Sequence, residues 1–386
     1  MSLPSDVPVP TVWPDLGDAE GRVLLELLLR GSQSRVELAH RVGLSRASLT
    51  RIARELVEYG LVSEGEAQLR LTRGRPPEML NLRPESAHFI GVKLTGESLY
   101  MVLTDLSGRV VNEITAPLPS RAVEDVVALI GRVCRVLIDG VRLPAAIGIG
   151  LAGDVAVHDG VSIVKRSTFL GWDGVPLAQL VERATGLRAT VSNDVHALAG
   201  AHHWFGGVGQ HKSIVVYGIG AGIGSGVVID DELVAGAHGR GGRVGHTRVG
   251  GQGITCSNGH HDCIHSFVSM PAIEQNAGLG IGEYAEAVRR AHDGDEIALR
   301  AFQLAAFALG ATIADAVNVV DPEVVSVMGE GLEMLDLAPD ELRRALEEYL
   351  EQAEASQIRI ERPGFHFDLY ARGAAVAAMR SLLLRP

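Results

Sequence analysis

Residues 34–60 read SRVELAHRVGLSRASLTRIARELVEYG, and this stretch decides how the chain begins. Ser34-Arg35-Val36-Glu37 fits a capping box, in which Ser34 accepts from the backbone and Glu37 reaches back. The helix so started runs to about Val42 and stops at Gly43. A second start follows at Ser45, and Leu49, Ile52, Leu56 and Val57 keep an apolar stripe up to Gly60, a natural C-cap. Two short helices joined at Gly43-Leu44-Ser45 make a helix-turn-helix. Counting Arg35 as position 1, Ala39 falls at 5, Gly43 at 9, Leu49 at 15 and Ile52 at 18. Small Ala39 lets the helices approach, and Gly43 allows the turn. With the stripe inward, Arg46, Ser48, Thr50, Arg51 and Arg54 are the side chains available to base edges and phosphates of a major groove.

The neighbouring segments extend this reading. Residues 19–30 carry Val23, Leu24, Leu27 and Leu28 at helical spacing. After Gly60, Leu61-Val62-Ser63 and Gln68-Leu69-Arg70-Leu71 read as two short strands of a wing. The turn Thr72-Arg73-Gly74-Arg75-Pro76 then offers Arg73 and Arg75 to a minor groove. The whole chain carries a net charge of −12, yet residues 18–83 hold 11 Arg against 9 Asp and Glu, and no acid lies between Arg41 and Arg54. A local basic face on an acidic body is compatible with double-stranded DNA as a partner, because phosphate neutralisation is local.

Residues 1–17, rich in proline and without periodicity, read as a loose tail lacking the basic-then-apolar build of a signal peptide. The stretch Ala301–Val320 is broken by Gln303, Asp315 and Asn318, so no membrane partner is expected. Three cysteines without framework spacing do not make a disulfide scaffold, and the expected location is the cytoplasm.

From Phe89 onward strands alternate with helices. Residues 89–94 and 99–104 look like paired strands, and 147–150 and 213–217 like further buried ones. Amphipathic helices are expected at about 122–138, 176–185, 297–319 and 340–354. This is an α/β body, too long for one compact layer set.

Several motifs in this body resemble the ROK family of repressors, open reading frames and sugar kinases. They are Leu170-Gly171-Trp172, Val175-Pro176-Leu177, Asn193-Asp194-Val195, His203-Trp204-Phe205-Gly206, Gly220-Ala221-Gly222-Ile223-Gly224-Ser225-Gly226, Gly242-Arg243-Val244-Gly245-His246 and Asn318-Val319-Val320-Asp321-Pro322-Glu323. The resemblance implies an actin-like ATPase fold of two lobes with a ligand cleft, preceded here by an α+β winged helix-turn-helix. The expected boundaries are 1–17 for the tail, 18–83 for the DNA-binding domain, 84–192 with 371–386 for the first lobe, and 193–370 for the second.

The resemblance also separates a regulator from a kinase. Asp194 matches the family's catalytic base, which takes the sugar hydroxyl's proton. The kinases' first phosphate loop, Asp-x-Gly-Gly-Thr, here reads Lys93-Leu94-Thr95-Gly96-Glu97, and the second loop's Gly-Thr-Gly reads Gly220-Ala221-Gly222. A carboxylate beside phosphates repels them, and phosphoryl transfer depends on positioning and electrostatics. No catalytic residue and no ATP are therefore expected, with Asp194 a vestigial base.

Of the family's sugar contacts, Asn193, Asp194 and His246 match. Phe169 stands for an Asn, while Arg243, His265 and His202 stand for Glu. An arginine fork prefers a carboxylate or phosphate, so Asn193, Asp194, Arg243, His246 and His265 are expected to bind a sugar-like, acidic effector. Internal pairing of Arg243 with Asp194 is the plainer alternative. The family's zinc motif is matched by His246, Cys256 and Cys263, with Asn258 in place of a cysteine. Zinc would need a fourth donor from His260, His261 or His265, of which His261 is carried forward; otherwise the cysteines are ordinary thiols. Together these features predict a DNA-binding transcriptional regulator, a repressor of carbohydrate-related genes, acting as a homodimer or tetramer. An ATP-dependent sugar kinase and a regulator controlled by a protein partner are the alternatives.

Overall fold

The computed structural model describes residues 13–65, 79–141, 143–158, 161–209 and 211–384. These divide into two compact units, residues 1–197 with 370–386 and residues 198–369.

The first unit opens with helices α1 (Asp18–Arg30), α2 (Arg35–Arg41) and α3 (Arg46–Glu58). A sheet of β1 (Gln33–Ser34), β2 (Val62–Gly65) and β3 (Met79–Leu82), in the order β1-β3-β2, completes the winged helix. The Ser34–Glu37 capping box is formed, and Ser45 caps α3 by accepting from the Ser48 amide. Gly43 takes φ +67°, a turn conformation that a side chain would strain. Val23, Leu24, Leu27, Leu38, Leu49, Ile52 and Leu56 are buried between the helices. The strand paired with β2 is β3, in the register Val62↔Leu82 to Gly65↔Met79. The expected strand at 68–71 and the arginine turn at 72–76 lie outside the described residues.

The unit continues with a five-stranded sheet built from β4 (His88–Leu94), β5 (Ser98–Asp105), β6 (Val110–Pro117), β7 (Ala146–Leu151) and β11 (Arg188–Asn193). Its order is β11-β7-β4-β5-β6, the first three strands parallel and the last two antiparallel. A smaller sheet joins β8 (Asp154–His158), β9 (Val161–Ser167) and β10 (Trp172–Val175). Helices α4 (Val123–Leu137) and α5 (Leu177–Thr185) add Val126, Ile130, Cys134, Leu177 and Val181 to the core. The division between units falls inside α6 (Asp194–Phe205).

The second unit repeats the same sheet plan. Strands β12 (Ile214–Ile219), β13 (Ile223–Ile229), β14 (Glu232–Leu233), β15 (Val324–Gly329) and β16 (Ile360–Glu361) lie in the order β14-β13-β12-β15-β16. Again a central strand pairs with a hairpin on one side and with two parallel strands on the other. Helices α7 (His265–Val268), α8 (Met270–Asn276), α9 (Tyr284–His292), α10 (Glu296–Val320), α11 (Met334–Leu337) and α12 (Pro339–Tyr349) cover it. Helix α10 is long and apolar enough to cross a membrane, but Phe302, Leu309 and Ile313 are buried in the unit's core with Tyr217 and Phe267. Helix α12 stops five residues before the expected 354. The Asn318 side chain donates to the Tyr349 carbonyl and accepts from the Glu351 amide, ending the helical hydrogen bonds there.

Chain geometry returns the last helix, α13 (Asp368–Leu383), to the first unit. Gly91 and Gly148 are register partners on β4 and β7. A Cβ at either would collide with the backbone of Ala371 or Ala374 on α13. The glycine pair thus lets the helix lie directly on the sheet.

Candidate functional site: a DNA-reading helix and two strand edges

On α3 the buried stripe leaves Arg46, Thr50, Arg51 and Arg54 exposed. They are not equivalent. Arg51 Nη1 donates to Glu55 at 2.6 Å and its Nη2 lies 3.4 Å from Glu20 on α1, so this arginine braces two helices. The two carboxylates hold the Arg51 guanidinium above its ordinary pKa, Glu55 more than Glu20. The Thr50 hydroxyl donates to the Arg46 carbonyl at 2.8 Å, and the Ser48 hydroxyl lies 2.9 Å from that of Ser45 within the N-cap. Arg46 and Arg54 remain the long cationic side chains of the outer face. Arg73 and Arg75 lie outside the described residues.

In the first unit, β4, β7 and β11 end together at the C-terminal edge of a parallel sheet, the edge at which such sheets receive ligands. Asp194 follows β11 there and is buried. Its Oδ2 accepts from the ammonium of Lys93, itself buried near the end of β4, and its Oδ1 accepts from the Val195 amide at 3.0 Å. The Lys93 Nζ also stands 4.8 Å from the centroid of the Tyr370 ring. Lys93 is thus an internal ion-pair partner of Asp194. Asn193 caps α6 through Oδ1, which accepts from Val195 and His196, while its amide nitrogen donates to the Gly153 carbonyl. At the hairpin tip, Thr95 Oγ1 accepts from the amides of Glu97 and Ser98 at 3.3 and 2.9 Å. Those are the backbone donors a phosphate-cradling loop would present. The Arg121 Nε donates to the Gly96 carbonyl and Trp172 Nε1 to the Arg121 carbonyl, tying the tip to the Leu-Gly-Trp element. Phe169 is 47% exposed, an apolar ring where the resemblance implies an amide.

In the second unit, the equivalent hairpin tip is Gly220-Ala221-Gly222, closed by a bond from the Gly220 amide to the Gly222 carbonyl. His202 is buried, and its Nε2 lies 2.9 Å from Ser326 Oγ on β15. His246, Cys256, His260 and Cys263 present one ligand atom each, all within 4.8 Å of one another. His246 Nδ1 stands 3.8 Å from Cys256 Sγ and 3.6 Å from Cys263 Sγ, and Cys256 Sγ stands 3.6 Å from His260 Nδ1. Zinc–sulfur and zinc–nitrogen bond lengths give a tetrahedron edges of about 3.3 to 3.8 Å, the range in which these three sulfur–nitrogen separations fall, and two thiols with two imidazoles are a donor set that zinc takes.

His261, the expected fourth donor, is not among them: its Nδ1 pairs with Thr255 Oγ1 at 2.9 Å. Thr255 and His261 form an antiparallel bridge, and successive residues of extended chain point to opposite sides, which turns His260 to the cysteines. Asn258, standing where a cysteine was expected, lies 3.0 Å from His246 Nε2. Burial lowers the pKa of His246, helped by His260 and Arg243, and burial likewise lowers that of His265. Both shifts favour the neutral ring. The His265 ring stands 5.4 Å from that of His246. Burial also lowers the pKa of Arg243 and raises the Cys263 thiol.

A winged helix placed before two α/β units of repeated sheet plan defines a DNA-binding regulator with an actin-like body. The chain belongs to the ROK family, whose profile matches residues 89–380, and residues 18–63 match the winged helix-turn-helix DNA-binding family. It is 25% identical over 351 residues to the xylose repressor of Caldicellulosiruptor bescii, covering 85% of this chain and 87% of that one. It is 28% identical over 317 residues to the DNA-binding transcriptional dual regulator NagC of Escherichia coli, covering 78% and 77%. The solved structure of a ROK family transcriptional regulator, a homolog of the E. coli MLC protein, superposes with a TM-score of 0.81 at 25% identity, covering 95% and 96% of the two chains.

Proposed function

We propose that the chain is a repressor of carbohydrate-related genes that binds DNA through α3, senses a sugar-like effector through its body, and has no kinase activity. The observation that carries the reading is the buried Lys93–Asp194 pair. In a sugar kinase this carboxylate must receive the hydroxyl proton; here an ammonium already occupies the accepting oxygen and the helix amide the other. The Thr95 hydroxyl, meanwhile, satisfies amides that a nucleotide phosphate would need. Both substitutions favour ligand recognition without phosphoryl transfer.

The effector-binding groups are Asn193 and Asp194 in the first unit and Arg243, His246 and His265 in the second. Asn193 acts mainly by orienting Asp194, since its own side chain is spent on the α6 cap. Arg243 gives the effector an acidic group, a sugar phosphate or sugar acid. Zinc is held by His246, Cys256, His260 and Cys263, and it supplies a structural crosslink for the loop from 246 to 263. His246 turns its Nδ1 to the two thiols, and its Nε2 lies beside the Asn258 amide nitrogen, away from the cluster. The regulator works in the cytoplasm as a homodimer or tetramer, since helix-turn-helix proteins read two half-sites.

A combined assay tests the reading. Purified protein is expected to show no ATP turnover across a panel of neutral sugars, sugar acids and sugar phosphates. Thermal-shift screening of the same panel is expected to stabilise the protein with acidic members only. Turnover with any sugar would restore the kinase reading, and stabilisation by neutral sugars alone would remove the acidic effector.

A further inference from the structure

We propose that Glu330 bars phosphoanhydride ligands, ATP among them, from the glycine hairpin of the second unit. Strands β12 and β15 are parallel neighbours, and their C-terminal ends form that unit's ligand-receiving edge. Gly220-Ala221-Gly222 follows β12 and Glu330 follows β15. The Glu330 amide donates to the Ile219 carbonyl at 3.0 Å, which holds residue 330 beside the end of β12. Gly329 makes the approach possible: its φ is +129°, and a Cβ there would collide with the Ile219 backbone.

The carboxylate then lies on the hairpin itself. A Cβ at Gly220 would stand 2.6 Å from Glu330 Oε2, so glycine at 220 leaves the seat that this oxygen uses. The other flank is covered by His265, whose ring atoms would stand 3.6 and 3.8 Å from a Cβ at Gly222. A phosphate approaching the Gly220 backbone would meet the Glu330 carboxylate at contact distance and, on the other flank, the His265 ring. Lys93 and Thr95 close the first unit's hairpin by other means, so each unit fills its own phosphate-accepting edge with its own side chains. The proposal deepens the reading of a regulator without kinase activity and rests on it for the meaning of the exclusion, though not for the measurement.

The test is isothermal titration of the full chain with magnesium-ATP and, separately, with inorganic tripolyphosphate. The parent protein, Glu330→Gln and Glu330→Gly are compared. The glutamine variant keeps the side-chain volume and removes the charge; the glycine variant removes both. The parent is expected to give no saturable binding at millimolar ligand. Each variant gains saturable binding of tripolyphosphate, at least about tenfold tighter than any residual binding by the parent, because one like charge has been removed. Gain with ATP but not with tripolyphosphate, no gain in the glutamine variant, or a parent that binds within tenfold of the variants would each overturn the proposal. DNA binding measured on the same preparations verifies the fold of each variant. Absence of DNA binding in the parent would remove the regulator reading while leaving the Glu330 result as measured.

Discussion

Lys93 is the residue that departs furthest from what its position asks for. A lysine buried under a sheet edge is costly unless paired, and its partner Asp194 is buried as well. Removing one partner leaves the other charge without compensation. Lys93→Met is expected to lower unfolding stability by about 3–5 kcal/mol in chemical denaturation. The double change Lys93→Met/Asp194→Leu should recover most of that loss; a single variant as stable as the parent would show that the pair is not buried as described. At the metal-ligand cluster, His260→Ala and Cys263→Ser are each expected to reduce bound zinc from one equivalent to near zero, while His261→Ala leaves it unchanged. Elemental analysis of untagged protein reads this directly, and cobalt substitution of the parent should show a thiolate charge-transfer band of two-cysteine intensity. The sequence marks three of these residues, His246, Cys256 and Cys263, and leaves the fourth among His260, His261 and His265. Choosing between His260 and His261 depends on which side of a bridged segment each faces, and spacing does not encode that.

Among the elements, the helix-turn-helix was the most legible part, because caps and stripes are local signals. Ser34, Glu37, Gly43 and Ser45 do what their residue types favour. Ser34→Ala should cost about 1 kcal/mol through the lost cap, read as a lower denaturation midpoint. The contact of Arg51 with Glu20 was not legible, because that partner lies 31 residues away on another helix. Arg46→Ala and Arg54→Ala are expected to weaken binding to all duplexes and each to reduce the salt slope by about 1, whereas Arg51→Ala should act mainly on stability. The reliance of α13 on two small residues was equally hidden, since Gly91 and Gly148 meet it across more than two hundred residues. Gly91→Ala or Gly148→Ala should destabilise by about 1–3 kcal/mol, because the displaced atoms belong to helix backbone. A full retention of stability would mean that the helix can lift away freely.

Across the whole molecule, the alternation of strands and helices was visible in hydrophobic patterning, and the family resemblance supplied the fold. The repetition of one sheet plan in both units was not visible, because the repeat lies in strand order and direction rather than in recurring residues. It matters for function, since it puts Lys93 to Glu97 and Gly220 to Gly222 at equivalent hairpin tips. Charge is also divided at this scale: residues 18–83 carry a small positive balance within a chain of net −12. Such a chain should approach DNA by one face and be repelled along the rest, so its binding should fall steeply with salt. The most direct measurement is selection of genomic duplexes by the purified full chain, followed by fluorescence anisotropy of the best duplex against a scrambled copy at two salt concentrations. At least about 1,000-fold preference for the selected duplex is expected, with both affinities lost together in the Arg46→Ala/Arg54→Ala variant. Equal, weak binding to selected and scrambled duplexes would contradict it, and would leave α3 as a packing element.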